Sequence, residues 1–269
     1  MGRLNTTVGI IGAGSMGGAI ARGLVASGAL EASNVWVADP VPACTEPLAQ
    51  QGMHALGSAQ ELVEANTGAV IIAVKPQILA DVMSPLADAL ADRLVVSIAA
   101  GVPLSTLQEL LPTSHVVRVM PNLPIQVLSG ATAIAPGDRA SADEVELVRE
   151  LFAALGSAQV MREDQLDAEG AVVSCGPAYI ALFVDALTRA GVRSGLPAAA
   201  CREMVEATML GVAKTLLQSG EHPRAYMERV TSPGGTTAAG LYELEPLLVE
   251  GAYAAVDGAL ERTAELANG

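Results

Sequence analysis

Two glycine-containing stretches of the chain have the residue types that bind anions. The first, GIIGAGSMGG, contains Gly12, Gly14 and Gly17 in the spacing G-x-G-x-x-G, directly after an apolar run and at the start of a helical pattern. The second, VTSPGGTTAAGL at residues 230–241, sets two adjacent glycines among four hydroxyl residues and leads into an Ala-rich helical pattern. Loops of this kind expose backbone N–H groups at a helix N-terminus, where phosphates and carboxylates bind. The sequence therefore predicts two anion sites.

The first stretch has the spacing of a dinucleotide-binding loop. Gly12 permits the tight turn, Gly14 lets the backbone approach a pyrophosphate, and Gly17 allows close packing of helix on strand. Asp39 ends the next predicted strand, where a carboxylate accepts hydrogen bonds from a ribose 2′-OH and repels a 2′-phosphate. No cation follows it in VADPVPAC, which favours NADH. The alternative for Asp39 is a turn-forming Asp-Pro pair with no ligand.

Two polar residues follow later strands. Lys75 in AVKPQ comes after the third predicted strand, and Asn122 in VMPNLP after the fifth. Because open α/β sheets bind ligands at the carboxyl ends of their strands, both are candidates for the nicotinamide end of a cofactor. The alternatives are a solvated loop charge for Lys75 and turn formation between two prolines for Asn122.

Apolar periodicity predicts the elements that position these residues. Short runs that are mostly β-branched and continuously apolar predict buried strands of a parallel sheet at residues 7–11, 35–38, 69–74, 94–99, 115–120, 131–135 and 158–161. Helical patterns lie between them, at residues 17–27, 77–91 and 104–111 among others. The fold class is therefore α/β, with an N-terminal Rossmann-type, mostly parallel sheet.

The strands stop after about Arg162, and the rest of the chain has helical patterns. Pro177 and Pro197 suit first helical turns, Gly220 suits a helix end, and a last helix is expected from Ala238. We predict a dinucleotide-binding domain at residues 1–163 and an all-helical domain at residues 164–269, which contains the second predicted anion site. The helical half has more apolar surface than a thin helical layer can bury, which predicts a homodimer.

Composition excludes several classes of function. Among 269 residues the net charge of −14 argues against nucleic acid, which requires basic patches. The three cysteines and three histidines are scattered without metal-ligand spacing, so we expect no metal site. Unpaired cysteines of this kind are typical of a reducing, cytoplasmic setting. Glycines and prolines interrupt the long uncharged stretches, which argues against a membrane span.

Seven motifs in order along the chain resemble the pyrroline-5-carboxylate reductase family. They are IGAGSMG, AVKPQ, SIAAGV, VMPN, GPAY, AGVRSGLP and VTSPGGTT. The last is the most specific, since a glycine loop alone does not identify a family. The resemblance implies a Rossmann domain, a helical dimerisation domain, and the reduction of 1-pyrroline-5-carboxylate to L-proline by a nicotinamide cofactor, for which the family suggests NADPH. It also suggests a site at the dimer interface, and larger rings of dimers in some members.

The resemblance also implies the residues of both sites. The substrate carboxylate is expected on backbone N–H groups of Gly234, Gly235 and Thr236, with the Thr237 hydroxyl near the ring nitrogen as a catalytic group. The substrate site as a whole is Ser232, Gly234, Gly235, Thr236 and Thr237, and Lys75 is the second catalytic candidate. Cofactor binding is expected from Ile11, Gly12, Ala13, Gly14, Ser15, Met16, Asp39, Ala73, Val74, Lys75, Pro76, Ala100, Gly101 and Asn122.

The chain departs from the family pattern at three places. Val173, Ser174 and Cys175 stand before GPAY where the family usually has Ser-Gly-Ser, which could change the substrate chosen. Leu123 stands where Thr is common. Asp39 and its neighbours replace a Ser-Asn-Arg suited to a 2′-phosphate, so both NADPH and NADH stay open.

Three rival functions remain. A β-hydroxyacid dehydrogenase would need a lysine and a nearby asparagine in the helical half, but no asparagine lies between Asn122 and Asn268. A reductase of another cyclic imino acid, such as the six-membered homologue, is the closer alternative. A non-catalytic cofactor-binding regulator would not need the intact TSPGGTT loop.

Overall fold

A computed structural model describes residues 2–268 of the chain, with side chains described as far as residue 265. Its sheet has eight strands in the order β3-β2-β1-β4-β5-β6-β7-β8. The strands are β1 Val8–Ile11, β2 Val35–Ala38, β3 His54–Leu56, β4 Ala69–Ile72, β5 Leu94–Ser97, β6 His115–Pro121, β7 Gly130–Pro136 and β8 Gly156–Val160.

Strands β1 to β6 run parallel, so their carboxyl ends meet at one edge of the sheet. Register pairs such as Ile11 with Ala38 and Ile11 with Ile72 align the last residues of β1, β2 and β4. Strand β7 is antiparallel to β6, and β8 is parallel to β7. The mostly parallel sheet is confirmed, as are the seven predicted strands. The sequence missed β3, a short strand at the edge of the sheet.

Helices cover both faces of this sheet. The α-helices are α1 Ser15–Ala26, α2 Pro42–Ala49, α3 Ala59–Ala65, α4 Pro76–Met83, α5 Leu104–Leu110, α6 Ala142–Ala153, α7 Leu166–Glu169, α8 Gly176–Arg193, α9 Ala198–Ser219, α10 Pro223–Arg229 and α11 Thr236–Asn268. One buried cluster includes Ile10, Leu24 and Phe152, and another includes Ile72, Leu79 and Leu107. The helix expected at residues 77–91 ends at Met83, because a proline follows Ser84 and the chain continues as a 3₁₀ turn at Ser84–Leu86.

The chain forms two compact units. One runs to Ser174 and includes the end of the chain from Arg262, and the other is Cys175–Glu261. The domain boundary predicted at residues 163 and 164 remains a prediction, and its terminal residues 1 and 269 lie outside the described part. In the helical unit Pro177 lies in the first turn of α8, and Gly220 ends α9 with φ of 65°. Both were expected from the sequence.

The helical unit exposes most of its apolar side chains. Gly176 and Cys201 are the only buried residues of Cys175–Glu261, while Leu217 is 84% and Leu247 71% exposed. One segment, Glu163–Arg193, is long and apolar enough to cross a membrane, judged by length and composition alone. A helical unit with so little core of its own needs a surface that covers it.

Candidate active site

The glycine loop lies between the carboxyl end of β1 and the start of α1. Gly12 has φ of 96°, in the left-handed region, and a Cβ there would lie 2.7 Å from the Ala73 carbonyl oxygen. A Cβ on Gly17 would overlap the carbonyl oxygen of Gly12. Gly14 faces open space within 4 Å. Each glycine therefore has the geometry that the sequence predicted: a tight turn, an open approach and close packing of helix on strand.

The first turn of α1 presents backbone donors to a ligand. Its first backbone hydrogen bond is from Gly18 N–H to the Gly14 carbonyl at 2.9 Å. The N–H groups of Ser15, Met16 and Gly17 have no acceptor among the described residues. No acidic side chain lies in this turn, and Ser15 is exposed. These features fit the pyrophosphate of a dinucleotide, which the helix dipole also attracts.

Asp39 lies beside this loop, at the end of β2. Its Oδ2 accepts a hydrogen bond from Ala13 N–H at 2.9 Å, and its Oδ1 accepts one from Val41 N–H at 2.9 Å. The carboxylate therefore ties the glycine loop to the turn that follows β2. The sequence predicted its position but not these two bonds.

Lys75 and its neighbours follow β4. Lys75 caps the N-terminus of α4, its carbonyl accepts the Ile78 N–H at 3.1 Å, and its side chain is exposed. Within residues 2–268 its ammonium has neither an ion pair nor a hydrogen bond. Ala73 meets the glycine loop directly, since its N–H donates to the Ile11 carbonyl at 2.8 Å. Residues 73–76 and the loop at residues 11–16 thus lie together at the carboxyl edge of the sheet.

A charge network around the buried Arg118 contacts the start of α5, which follows the loop that contains Ala100 and Gly101. Arg118 on β6 is 5% exposed, and its guanidinium lies 3.0 Å from Glu163 Oε1 and 3.7 Å from Asp167 Oδ1. Glu163 also accepts the N–H of Leu104, at the start of α5, at 2.6 Å. The sequence reasoning missed this network. The sequence feature that could have indicated this network is the single arginine in the apolar run HVVRVM.

Asn122 braces the end of β6 with its side chain. Its Oδ1 accepts the Ala131 N–H at 2.8 Å, and its Nδ2 donates to the Val173 carbonyl at 3.2 Å. The residue is only 8% exposed. The structure therefore gives Asn122 a bracing role that the sequence analysis did not predict, and its contact with nicotinamide stays a prediction.

A half-buried acid lies next to the segment that Asn122 holds. Glu169 ends α7 and precedes a π-helical turn, Gly170–Ser174, and its Oε2 accepts a hydrogen bond from the Ser174 hydroxyl at 3.2 Å. Burial raises the pKa of Glu169 to about 7, against the smaller opposing effect of that hydrogen bond. Ser174 is one of the departures from the family pattern, and Glu169 is a titrating group that sequence reasoning missed.

The second predicted anion site lies in the helical unit, at the start of α11. Gly234 has φ of 70°, and Gly235 N–H donates to the Ser232 carbonyl at 3.0 Å, which closes a Pro-Gly turn. The turn thus uses the Gly235 N–H in this structure, and the expectation that this group holds the substrate carboxylate stays a prediction. The sequence did not reveal this, since the turn bond depends on backbone angles.

Other donors at this helix start are available. The first backbone bond of α11 is from Ala239 N–H to the Gly235 carbonyl at 3.2 Å. The N–H groups of Thr236, Thr237 and Ala238 find no acceptor in the described part of the chain. Thr236 and Thr237 are both exposed. Three free donors at the N-terminus of a long helix suit a carboxylate.

Both the N-terminal and the C-terminal part of the chain match models of known protein families. Residues 163–266 match the family model described as pyrroline-5-carboxylate reductase dimerisation, and residues 7–101 match one described as NADP oxidoreductase, coenzyme F420-dependent. A pyrroline-5-carboxylate reductase of Methanosarcina acetivorans is 36% identical over 266 residues, which is 97% of this chain and 98% of that protein. The chain belongs to the pyrroline-5-carboxylate reductase family.

Solved structures of the family have the same fold. A pyrroline-5-carboxylate reductase of Coxiella burnetii aligns with a TM-score of 0.93 at 30% identity, covering 98% of this chain and 99% of the other. A Plasmodium falciparum pyrroline carboxylate reductase with NADP bound aligns with a TM-score of 0.86 at 28% identity, covering 99% and 100%. The chain is an NAD(P)H-dependent oxidoreductase of this family, and its dimerisation domain indicates a homo-oligomer.

Proposed function

We propose that the chain reduces the C=N bond of 1-pyrroline-5-carboxylate to give L-proline, the last step of proline biosynthesis. The observation that carries this proposal is the second set of free donors, at the start of α11. A dinucleotide needs one such site, for its pyrophosphate, and the glycine loop supplies it. A second site for a single anionic group fits a small substrate that bears one carboxylate.

The cofactor, when bound, supplies the hydride. We propose that the chain holds it with the loop at residues 11–16, the strand ends at residues 73–76, and Ala100 and Gly101. Lys75 adds an unpaired positive charge at the edge where these loops meet. Positioning of this kind supplies much of the rate when the reacting carbon is already electrophilic.

We propose that Thr236, Thr237 and Ala238 hold the substrate carboxylate with their N–H groups, within a site that also includes Ser232 and Gly234. The Thr237 hydroxyl then orients the ring nitrogen. A threonine is a poor net acid at neutral pH, so the substrate binds as the iminium or takes its proton through water. The residues at this site therefore align the substrate and leave the proton to solvent.

We infer that the helical unit forms a homodimer interface. It exposes apolar side chains such as Leu182, at 63%, and Tyr253, at 71%. The apolar segment Glu163–Arg193 begins where the dimerisation match begins, so a second copy of the chain, and not lipid, covers it. We place the enzyme in the cytoplasm, with no nucleic-acid partner and no resident metal. Larger assemblies of dimers are consistent with this interface.

The six-membered imino acid remains the second candidate substrate. The observation that favours it is the changed segment at Val173, Ser174 and Cys175, where the Ser174 side chain turns to Glu169. Initial rates with 1-pyrroline-5-carboxylate and with its six-membered homologue decide between them. A kcat/KM at least about tenfold higher for the five-membered ring supports the proposal, since one methylene is worth about 10- to 200-fold. The reverse ratio would assign the larger ring.

A further inference from the structure

The Asp39 carboxylate is fixed in place by the backbone. Each of its oxygens accepts one N–H bond at 2.9 Å, from Ala13 on one side and from Val41 on the other. A carboxylate has about four acceptor positions, so each oxygen keeps one for a ligand. The group can therefore accept a pair of ribose hydroxyls, but it cannot turn aside for a larger anion without breaking a bond to the glycine loop or to the β2–α2 turn.

The elements from β2 to β4 supply no positive charge for a phosphate at Asp39. From residue 23 to residue 74 the sequence has neither lysine nor arginine, and this stretch forms β2, α2, β3, α3 and β4. It does contain further acids, including Glu46 and Glu61. A 2′-phosphate at the end of β2 would thus meet a fixed negative charge with no cation from these elements.

One cation precedes this stretch. Arg22 lies on α1, and its guanidinium lies over the first turn, since a Cβ on Gly18 would be 3.3 Å from one of its terminal nitrogens. Arg22 is exposed and forms no ion pair with Asp39 in the described structure. It is the residue that could oppose the effect of Asp39, and any test must include it.

We propose that Asp39 makes this enzyme prefer NADH to NADPH, because its backbone-held carboxylate binds the adenosine ribose hydroxyls and repels a 2′-phosphate. This cofactor preference rests on the proposed function, because it matters to the cell only if the chain reduces a substrate. It reverses the NADPH use that the family resemblance suggests.

Equilibrium binding tests the preference without turnover. We would titrate the full-length protein with NADH and with NADPH, following reduced-nicotinamide fluorescence, for the wild type, Asp39→Asn, Arg22→Gln and the control Glu46→Gln. Asp39→Asn removes the charge and keeps the shape, and Glu46→Gln removes an exposed acid of the neighbouring helix α2. We expect NADH to bind the wild type at least about tenfold more tightly. Asp39→Asn should reduce that ratio about tenfold, and Glu46→Gln should leave it unchanged.

Equal or tighter binding of NADPH to the wild type would overturn the proposal. Loss of that NADPH binding in Arg22→Gln would then assign the 2′-phosphate to Arg22. A wild-type ratio that survives in Asp39→Asn would also overturn it. If Asp39→Asn unfolds, Asp39→Ser and a thermal-shift series with NAD⁺ and NADP⁺ on the wild type give the same decision. Because binding is read directly, a chain that bound NADH but reduced no imine would contradict the proposed function and leave the preference standing.

Discussion

Asn122 fastens Val173 to the end of the sheet: its side-chain amide donates to the Val173 carbonyl at 3.2 Å while its oxygen accepts the Ala131 N–H at 2.8 Å. One side chain thereby joins β6, β7 and the π-helical turn that precedes the helical unit. The segment at residues 173–175, one of the three places where the sequence departs from the family pattern, is thus held by a residue of the VMPN motif.

Asn122→Ala should lower the free energy of unfolding by about 2 kcal/mol, because two backbone groups lose their partner at a buried position. Urea denaturation at fixed protein concentration measures this. The control is Gln159→Ala, at an exposed position of β8 without side-chain hydrogen bonds to the described residues. Equal stability of the two variants would mean that Asn122 does not brace the turn.

Alanine substitutions at Gly14 and Gly17 should have different effects, the first on cofactor binding and the second on stability. A methyl group on Gly17 overlaps the Gly12 carbonyl oxygen, so Gly17→Ala should cost about 3 kcal/mol of stability. A methyl group on Gly14 meets nothing within 4 Å, so Gly14→Ala should keep wild-type stability and weaken cofactor binding about tenfold by blocking the pyrophosphate. Thermal unfolding and cofactor titration of both variants check this. If Gly14→Ala bound the cofactor as tightly as the wild type, the loop at residues 11–16 would not be part of the cofactor site.

Thr237→Ala should lower kcat about 100-fold with little change in stability, since an exposed hydroxyl that orients the substrate is lost. Thr237→Ser keeps the hydroxyl and should recover most of the rate. Thr208→Ala, at an exposed position of helix α9, is the matched control. Steady-state kinetics decides, and wild-type turnover in Thr237→Ala would end the proposed role.

Glu169 should make stability fall as the pH rises. Its pKa is raised from 4.5 unfolded to about 7 folded, so the folded state holds the proton more tightly. The stability it contributes is fully present below pH 4.5 and is lost as the pH rises through about 7. The loss is of the order of 1 kcal/mol, because solvent screens the half of the group that is exposed.

Glu169→Gln should remove this pH dependence of stability. The control Glu109→Gln, which changes an exposed acid, should keep the pH dependence of the wild type. Melting temperatures between pH 5 and pH 8 at fixed protein concentration make the comparison. Parallel curves for Glu169→Gln and the wild type would show that Glu169 does not titrate in this range.

Continuous apolar runs made most of the sheet predictable from sequence. Strand β3 escaped because His54 and Ala55 are exposed at the sheet edge, where no apolar pattern is required. Helix α4 ended early because Pro85 follows Ser84, a position that disfavours helix.

The site was predictable in its positions and not in its contacts. The positions of the glycine loop and of Asp39 followed from residue type and spacing, and Thr237 was predicted from the family resemblance; their roles in binding and catalysis stay predictions. The bonds from Ala13 N–H to Asp39 and from the Asn122 side chain to the Val173 carbonyl join residues far apart in sequence, so no local pattern could reveal them. At the start of α11 the Pro-Gly turn uses the Gly235 N–H, so the donors that we propose for the substrate carboxylate are those of Thr236, Thr237 and Ala238.

Imine reduction is tested most directly by following the hydride. Purified enzyme is incubated with 1-pyrroline-5-carboxylate and NADH deuterated at nicotinamide C4, and the product is analysed by NMR. We expect L-proline, formed in step with NADH oxidation, with deuterium on the ring carbon that belonged to the C=N bond. NADH binding without proline, or proline without deuterium from either C4 face, would contradict the function.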